Sequence, residues 1–392
     1  MIAFILGRQP ELSLAELTAV FGQTPRQINP SYAVLDISAE AALAQAPHLG
    51  SIIKILQIID TIDQTDAALI DLAVKCFANT NGKITLGLSD YSAKASRKQT
   101  TRLVRTIGAA LAATHSVRLV PTTTNIVSTA TVIHNKLAHG NPKKCELSIV
   151  AIRQKWIVAR TIYVQDLASY TLRDRSRPCR DARNGMLPPK LAQIIINLAQ
   201  GNTNPALRTP DSYLLDPFCG TGVILQEAAL MGRAVYGTDL NPTMIDYTRQ
   251  NLTWLERRFQ LQVSPVLATA DATTHNWQNS LTSNQITTVA TETYLGRPYT
   301  SLPTMTELKQ NCQNCNIILG KFIANLAAQL PTGAGVCLAV PAWFTHQKIH
   351  HLDCIQTSQL AKLHLHGLNS TPLIYHREGQ IVGRELVVLQ KS

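Results

Sequence analysis

The sequence predicts an α/β protein whose second half is a doubly wound parallel sheet and whose first half contains smaller α+β units. After residue 210, five apolar strand-like runs alternate with helical stretches, which is the rhythm of parallel strands joined by crossover helices. Before residue 166, shorter strands alternate with helices at closer spacing. At 392 residues the chain exceeds one ordinary core, so we expect two or three domains.

Composition indicates a folded, cytoplasmic protein. Hydrophobic residues make up 45% of the chain and the mean hydropathy is +0.02, unlike a disordered sequence. No apolar run approaches the roughly 18 residues that a membrane span needs. The first residues lack a basic region and reach Arg8 and Glu11 too early for a signal peptide. We therefore expect no membrane association.

Eight cysteines are scattered along the chain, too sparsely for a disulfide framework, so reduced thiols are expected. Cys312 and Cys315 form a single CxxC pair. A structural zinc site needs four ligands, and no second pair stands at a suitable spacing. We interpret the pair as two small residues on a helix and predict no metal.

Residues 1–57 contain three strand-like runs, AFILG, YAVLDI and IIKILQII, with one helical stretch, LSLAELTAVFG. Ser13 is a candidate N-cap with Glu16 three positions later. Strands interleaved with helices at this length predict a small ferredoxin-like unit.

Residues 58–165 repeat this pattern on a basic background, with a basic helix, SRKQTTRLVRTIGAALAA, between strand candidates. The formal net charge of the chain is +11, and residues 83–190 hold 19 Lys and Arg against 5 Asp and Glu. This local net of +14 leaves −3 for the rest. A basic half beside a near-neutral half favours a polyanion partner, although a solvated basic face is the alternative.

Residues 166–209 read as a linker whose first part is charged and punctuated by proline. Its second part, KLAQIIINLAQ, is a predicted helix that Pro188 and Pro189 begin. After residue 210 the strand candidates are SYLLD, AVYGTD, VLATAD, TTVATE and GVCLAVP. The C-terminus predicts two further strands around a turn at Glu378–Gly379.

The strongest motif is DPFCGTG, residues 216–222, at the end of the first of these strands. Gly220 and Gly222 permit a tight turn with bare backbone beside a ligand, and a helix follows. Neither GxxxxGK[ST] nor GxGxxG is present, so a phosphate cradle is not indicated. The Asp216 carboxylate instead suits a cationic ligand, such as the amino group of methionine.

Two more strands end in aspartate. Asp239 can accept both hydroxyls of a ribose, as acids at this position do in dinucleotide folds. Asp271 can meet an adenine amino group. Ordinary strand-end acids are the alternative, but three in adjacent strands favour a nucleoside-containing cofactor.

The fourth strand ends TETYLGRP, residues 291–298, and here the chain resembles a known family. DPFCGTG, GTDLN and YTLRDRSRPCRDARNGMLPPKLAQIIINLA are together similar to the tRNA guanine-N2 methyltransferases that modify guanosine 10. The resemblance extends to FILGRQPELSLAEL at the start and is most specific in residues 170–240. It implies a Rossmann-like class I methyltransferase domain, preceded by ferredoxin-like and THUMP α+β domains.

The resemblance implies four segments: a ferredoxin-like domain at 1–57, a THUMP-like domain at 58–165, a linker and cofactor-pocket helix at 166–209, and a methyltransferase domain at 210–392. It implies S-adenosyl-L-methionine as cofactor and tRNA as partner. A small activating subunit, which some relatives use, cannot be read from the sequence. The implied cofactor-binding residues are Asp216, Phe218, Gly220, Gly222, Asp239, Leu240, Asp271, Ala272, Arg173 and Pro188.

The implied catalytic residues are Glu292, Thr293 and Tyr294. Glu292 and a backbone carbonyl near Thr293 would accept the two N–H groups of the guanine amine, and Tyr294 would stack on a flipped base. Plain core packing is the alternative for Tyr294. One departure stands out, because relatives carry proline where this chain has Thr293, and proline stiffens the turn. A catalytically silent tRNA-binding protein and an rRNA guanine-N2 methyltransferase are therefore the alternative functions.

Exposed basic residues are the candidates for RNA contact, through phosphates rather than bases. Positions 98, 102 and 105 recur at helical spacing and share one face. The arginines that follow residue 173 could hold phosphate, line the cofactor pocket or pair with Asp174 and Asp181. The candidate set is Arg97, Lys98, Arg102, Arg105, Lys136, Lys143, Lys144, Arg175, Arg177 and Arg180.

Overall fold

The computed structural model describes residues 1–138, 140–181, 186–209, 211–281, 286–299, 301–345, 348–367 and 371–392. The chain divides into two compact units. The first comprises Met1–Leu17 and Gln23–Leu167, and the second comprises Thr18–Gly22 and Ala168–Ser392. In the described ranges, no helix has both the length and the apolar character that crossing a membrane requires.

The first unit is built on one eight-stranded sheet, with strand order β2-β3-β1-β4-β8-β7-β5-β6. Its strands are β1 (Ile2–Leu6), β2 (Arg26–Asn29), β3 (Tyr32–Leu35), β4 (Ile52–Asp63), β5 (Lys83–Asp90), β6 (Ser116–Leu119), β7 (Lys144–Ile152) and β8 (Lys155–Val164). The helices of this half of the chain are α1 (Pro10–Phe21), α2 (Ala39–Gln45), α3 (Asp66–Phe77), α4 (Arg97–Leu111) and α5 (Thr129–Asn135).

The boundary predicted between residues 57 and 58 falls inside β4. This 12-residue strand pairs with β1 through its first half and with β8 along most of its length. The two predicted N-terminal segments therefore share one strand and one sheet, because β4 satisfies backbone hydrogen bonds on both of its edges.

Ser13 is not the N-cap of α1, contrary to the sequence prediction. The helix begins at Pro10, so Ser13 lies inside it and is buried. Its hydroxyl accepts from the Gly7 amide (3.2 Å). Glu16, also buried, accepts from the backbone amides of Gly50 and Ser51, both at 2.9 Å. The motif resembles a capping box because it pairs a hydroxyl with an acid, but here both groups anchor neighbouring loops.

The second unit contains a nine-stranded sheet, with β11-β10-β9-β12-β13-β17-β15 as its main path. Its strands are β9 (Tyr213–Asp216), β10 (Ala234–Asp239), β11 (Val266–Thr269), β12 (Ile286–Glu292), β13 (Gly335–Phe344), β14 (Ile349–His350), β15 (Leu365–Gly367), β16 (Leu373–Tyr375) and β17 (Val382–Lys391). The remaining helices are α6 (Leu167–Arg175), α7 (Pro189–Gly201), α8 (Val223–Leu230), α9 (Pro242–Phe259), α10 (Met305–Gln329) and α11 (Thr357–Ala361).

The strands β11, β10, β9, β12 and β13 run parallel, and β17 joins them antiparallel. The five predicted strands of the doubly wound sheet are confirmed. The predicted terminal hairpin is also confirmed, since β16 pairs with β17 and Gly379 in the connection has a φ of +82°. The predicted linker contains a helix that the sequence analysis missed, α6, as well as the predicted one, α7.

The core of the second unit lies between β12, β13 and the long helix α10. Phe322 and Leu319 of α10 are buried with Trp277 and Trp343. Thr304 caps the helix through a capping box with Glu307. The CxxC cysteines lie on α10, as the sequence predicted, and within the described residues no group of three or more metal-ligating side chains occurs.

Candidate active site

Four acidic residues lie at the carboxyl ends of adjacent parallel strands in the second unit. Three are the last residues of their strands, and the fourth follows its strand by two positions: Asp216 of β9, Asp239 of β10, Glu292 of β12 and Asp271 after β11. The strand order reverses direction at β9, which lies between β10 and β12. Ligands of doubly wound sheets bind at this switch point, outside the carboxyl ends of the strands.

The loop after β9 turns through two left-handed glycines, as the motif predicted. Gly220 has a φ of +51° and Gly222 a φ of +80°. A Cβ on Gly222 would also lie 2.9 Å from the side chain of Thr248 on α9. The Cys219 amide donates to the Thr238 carbonyl of β10 (2.9 Å), which ties the loop to the sheet. The loop therefore presents bare backbone immediately before α8.

Asp216 is buried at the floor of this loop. Its Oδ1 accepts from the Thr291 hydroxyl of β12 (2.6 Å) and from the Phe218 amide (3.2 Å). Burial raises the pKa of this carboxyl to about 7, although both hydrogen bonds oppose the shift; Asp239 and Glu292 add to it through repulsion. A cation placed beside Asp216 would therefore favour its ionised form.

Asp239 is half-buried and bridges two backbone segments. One carboxylate oxygen accepts from the Gly220 amide and the other from the Asn241 amide, both at 2.9 Å. The carboxylate is thereby fixed against the glycine loop, with lone pairs left for further donors. Leu240 follows it with 71% of its surface exposed.

Asp271 is exposed and caps the turn after β11. Its Oδ1 accepts from both the amide (2.9 Å) and the hydroxyl (2.8 Å) of Thr273, and these bonds lower the pKa of the carboxyl. Ala272 is buried, and its carbonyl accepts from Asn325 of α10 (3.0 Å). The prediction that Asp271 ends the third strand is thus off by two residues.

Glu292 forms an ion pair that the sequence analysis did not foresee. Nε of Arg384 on β17 donates to its Oε1 at 2.7 Å. The side chains are 10% exposed for Arg384 and 18% exposed for Glu292. The carboxylate at the end of β12 is therefore held from one side and remains reachable.

Thr293, where the resemblance led us to expect proline, is held by two hydrogen bonds. Its amide and its hydroxyl both donate to the Ala339 carbonyl of β13, at 3.0 and 3.2 Å. These bonds continue the β12–β13 ladder by one residue, so the turn is fixed by the neighbouring strand. Tyr294 follows with 42% of its surface exposed, which excludes the core-packing alternative.

The loop beyond Tyr294 is clamped by α10. Asn311 accepts from the Arg297 amide (2.9 Å) and donates to the Arg297 carbonyl (3.2 Å). Gly296 has a φ of +83°, and a Cβ there would lie 2.6 Å from the Asn311 amide oxygen. The loop can approach α10 this closely only because residue 296 is glycine.

Arg173 is buried in an ion pair rather than exposed. Its Nε donates to Glu227 of α8 (2.7 Å), and Gln193 of α7 donates to the other oxygen of Glu227 (3.0 Å). The ionic partner of Arg173 is therefore Glu227 of α8, whereas the sequence alternative named Asp174 and Asp181 for this segment. Pro188 is half-buried and is the N-cap residue of α7, as predicted.

Arg177 is buried, and its placement does not fit the RNA contact that we predicted. In the described part of the chain, none of its three side-chain nitrogens has a hydrogen-bond partner or measurable exposure. Desolvation lowers the pKa of the guanidinium, which Asp174 partly offsets. Two residues later, the Cys179 amide and carbonyl bond to Asn251 of α9, which also donates to the Thr221 carbonyl (2.8 Å). The segment is therefore fastened to the glycine loop.

The other basic candidates are at the surface. On α4 the buried face includes Thr100, Leu103 and Ile107, and the predicted basic residues occupy the opposite face. One of them, Arg102, pairs with Asp66 of α3. The exposed members of the predicted set are Arg97, Lys98, Arg102, Arg105, Lys136, Lys143, Arg175 and Arg180, whereas Lys144 is half-buried.

The residues that hold the site together are remote from one another in sequence, and none of them was predicted. Thr291 was visible as the residue before Glu292, but its bond to Asp216 spans two strands. Asn311 and Arg384 carry no local signal, because each acts on a loop or strand end remote in sequence. Only the strand order brings them to the site.

Comparison with known proteins agrees with this geometry. Residues 177–293 match the family model described as UPF0020, RMKL-like, methyltransferase domain. This segment is a methyltransferase domain. Its cofactor is S-adenosyl-L-methionine, as the sequence predicted.

Two curated relatives share part of the chain. The tRNA (guanine(10)-N2)-dimethyltransferase of Methanothermobacter thermautotrophicus is 34% identical over 114 residues, covering 26% of this chain and 32% of that protein. The enzyme of the same name from Pyrococcus abyssi is 29% identical over 126 residues, covering 31% of this chain and 35% of that protein. The chain thus spans about a third of the length of the curated relatives it matches.

Among solved structures, TrmN from Thermus thermophilus aligns over 100% of this chain and 99% of its own, with a TM-score of 0.51 and 16% identity. At that identity the likeness shows the fold alone. It agrees with the Rossmann-like sheet of the second unit.

Proposed function

We propose that the protein transfers a methyl group from S-adenosyl-L-methionine to the exocyclic N2 of a guanosine in tRNA, and that guanosine 10 is the target. The observation that carries the proposal is the Glu292 carboxylate, beside exposed Tyr294, at the strand end next to the glycine loop of a methyltransferase domain. The names of the partly matching relatives support the choice of substrate.

The charges of the site fit the cofactor. Asp216 suits the ammonium of the methionine moiety, since its burial makes a cationic partner favourable. Asp239, fixed by the Gly220 amide, suits the ribose hydroxyls. Arg177 suits the carboxylate, because a buried guanidinium with no partner among the described residues is costly unless an anion binds it. Asp271 and Ala272 lie where the adenine is expected.

When bound, the cofactor supplies a sulfonium methyl whose C–S bond breaks as the guanine N2 lone pair forms the new C–N bond, giving S-adenosylhomocysteine and releasing one proton. The guanine amine is a weak nucleophile because its lone pair is delocalised into the ring. Glu292 and a backbone carbonyl near Thr293 accept its N–H groups and orient the lone pair. Such positioning contributes up to about 7–11 kcal/mol in favourable cases.

Tyr294 provides the surface for the base. Tyr294 is 42% exposed, whereas the other Phe, Tyr and Trp residues described in this unit are buried or half-buried. A base that leaves the helical stack can recover part of the stacking energy on such a ring. Tyr294 therefore acts as the stacking platform and Glu292 as the hydrogen-bond acceptor.

For the first unit we propose tRNA binding by a ferredoxin-like segment at 1–57 and a THUMP-like segment at 58–165. The first segment has the element order β-α-β-β-α-β and the strand order β2-β3-β1-β4, which supports the ferredoxin-like assignment. The exposed basic face of α4 supports a phosphate contact.

A silent tRNA-binding protein is the second candidate, because Thr293 replaces the expected proline. The two hydrogen bonds of Thr293 to Ala339 favour the active enzyme, since they fix the turn that proline would otherwise stiffen.

The test is a methylation assay with labelled cofactor and unmodified tRNA, followed by nucleoside digestion. We expect N2-methylguanosine or its dimethyl form from the wild type. Glu292→Ala should lose turnover with cofactor affinity nearly unchanged, and Glu40→Ala, an exposed acid on α2, should behave as wild type. Cofactor binding without any methylguanosine would favour the silent protein. A large loss of cofactor affinity in Glu292→Ala would show that its role is misassigned.

A further inference from the structure

We infer that Arg384 is a positioning residue for Glu292, holding the carboxylate in the orientation that accepts the guanine amine. This inference rests on the proposed function. Arg384 belongs to β17, the antiparallel strand at the far side of β13, and it lies opposite Pro341 of β13. Glu292 lies opposite Ala339 of the same strand. The ion pair therefore reaches across an entire intervening strand.

The intervening strand leaves room for this contact. Neighbouring strands lie about 4.8 Å apart, so a side chain that crosses one strand must span roughly twice that distance. Arginine is long enough, and the residues of β13 opposite the two partners, Ala339 and Pro341, carry no long side chain. The resulting Nε–Oε1 distance is 2.7 Å, and Arg384 as a residue is 8% exposed. An exposed ion pair would lose more side-chain entropy on forming and would gain less electrostatic energy.

The contact holds Glu292 without blocking it. A carboxylate accepts about four hydrogen bonds on two oxygens. Among the described residues, Arg384 is the hydrogen-bond partner of Glu292, and it occupies Oε1. The side chain of Glu292 remains 18% exposed. Oε2 is therefore the acceptor that meets the substrate amine.

Arg384 also offsets the negative charge of the site. Asp216, Asp239 and Glu292 are close enough that the last two raise the pKa of the first. Without a cation beside it, the half-buried Glu292 carboxylate would rotate toward water and lose its acceptor geometry. The adjacent residue, Glu385, pairs with His351 at 2.6 Å, so it does not compete for Arg384 in the described structure.

The experiment compares Arg384→Ala, Arg384→Lys and Arg249→Ala in the full chain with tRNA as substrate. Arg249 is the matched control, because its exposed ion pair is with Asp246, a residue that has no role in the proposed site. We expect Arg384→Ala to lower kcat by about 10- to 100-fold, the value of a hydrogen bond to a charged group. The Kd for the cofactor should stay within about twofold of wild type, because Arg384 contacts Glu292 and none of the residues proposed to bind the cofactor.

Two further readouts separate positioning from folding. Added guanidinium should restore part of the activity of Arg384→Ala, and Arg384→Lys should fall between the alanine variant and wild type. Glu292→Gln combined with Arg384→Ala should be little slower than Glu292→Gln alone, since both remove the same interaction.

The inference is overturned if Arg384→Ala matches or exceeds wild-type kcat, which would mark the pair as a bystander or a block. It is also overturned if added guanidinium restores no activity to Arg384→Ala and the activity losses of Glu292→Gln and Arg384→Ala multiply in the double variant. An inactive wild type that binds cofactor would instead overturn the proposed function itself, and the role of Arg384 with it.

Discussion

At the scale of single residues, the charge of the site depends on Asp216. Its carboxyl is buried between the glycine loop and β12, and desolvation raises its pKa to about 7. In the unfolded chain it would ionise near pH 4. Between these two pH values, folding is coupled to the uptake of one proton by Asp216, so the folded state loses stability as the pH rises toward 7. A bound ammonium beside the ionised carboxylate would recover that stability.

Cofactor affinity should therefore depend on pH. Lowering the pH from 8 to 6 protonates Asp216 and should weaken S-adenosylhomocysteine binding about tenfold, as expected for one group with a pKa of about 7. Calorimetric titration measures this. Asp216→Asn should bind weakly at both pH values and lose the pH dependence. If the affinity of the wild type for S-adenosylhomocysteine does not change with pH, Asp216 does not contact the ammonium.

Thr293 stands where the resemblance led us to expect proline, and two hydrogen bonds fix its position. Its amide and hydroxyl share the Ala339 carbonyl, so hydrogen bonds supply the rigidity that a fixed φ would give. Proline lacks the amide donor and the hydroxyl.

Thr293→Pro should therefore not speed the reaction. We expect it to lower Tm by a few degrees, because about 1 kcal/mol of hydrogen bonding is lost. Thr293→Ser, which keeps both donors, should retain the wild-type Tm and kcat. Differential scanning fluorimetry and the tRNA assay measure both quantities. A faster Thr293→Pro would mean that the turn is poorly organised in the native protein.

At the scale of elements, the glycine loop sets how closely a ligand approaches α8. Gly222 is left-handed, and its missing Cβ makes room for Thr248 of α9. Gly232, after α8, is also left-handed at φ +73°, but a Cβ there would meet nothing within 4 Å.

Gly222→Ala should abolish measurable cofactor binding, because it adds both strain and a contact of 2.9 Å in the loop. Gly232→Ala adds only the strain, about 1 kcal/mol. This variant should bind the cofactor with wild-type affinity, although its Tm should be lower. Binding by titration and Tm by fluorimetry distinguish the two. Equal binding in both variants would place the ligand elsewhere.

The helix α10 supports both ends of the site. Asn311 in its first half clamps Arg297, and Asn325 in its second half donates to the carbonyls of Ala272 and His275. One rigid helix thus fixes the loop expected to face the base and the loop expected to face the adenine.

At the scale of the whole molecule, the basic charge lies mainly in residues 83–190, whereas the methyltransferase family model matches residues 177–293. The predicted basic residues of α4 face solvent opposite its buried side. Arg102 differs from the other predicted basic residues of α4, because its charge is paired with that of Asp66.

Reversing charge on α4 should weaken tRNA binding. The double variant Lys98→Glu with Arg105→Glu should lower the affinity for tRNA about tenfold or more. The slope of log K against log salt should become shallower by about one or two, because binding releases about one counterion fewer for each phosphate contact that is lost. Arg257→Glu with Arg258→Glu, exposed on α9, is the matched control and should change little. Binding measured across salt concentrations tests this. If both double variants lose the same affinity for tRNA, binding depends on the net charge of the protein and not on the position of the charges on α4.

Much of this architecture was predictable because its signals are local. Strand ends, glycine turns and Asp216, Asp239 and Glu292 are read from adjacent residues. The burial of Arg177 was not predictable, because a charged, proline-containing segment looks exposed until it is fastened to Asn251. The pairing of Glu292 with Arg384 spans 92 positions and depends on strand order. Ser13 is not a cap because α1 begins three residues earlier, at Pro10, and its hydroxyl bonds to other loops.

The most direct measurement is a crystal structure of the protein with S-adenosylhomocysteine. We predict the ligand across the carboxyl ends of β9, β10 and β11, with its ammonium at Asp216, its ribose at Asp239 and its sulfur facing Glu292. Density for the ligand at another place, or a glycine loop closed over an empty pocket at saturating ligand, would contradict the account.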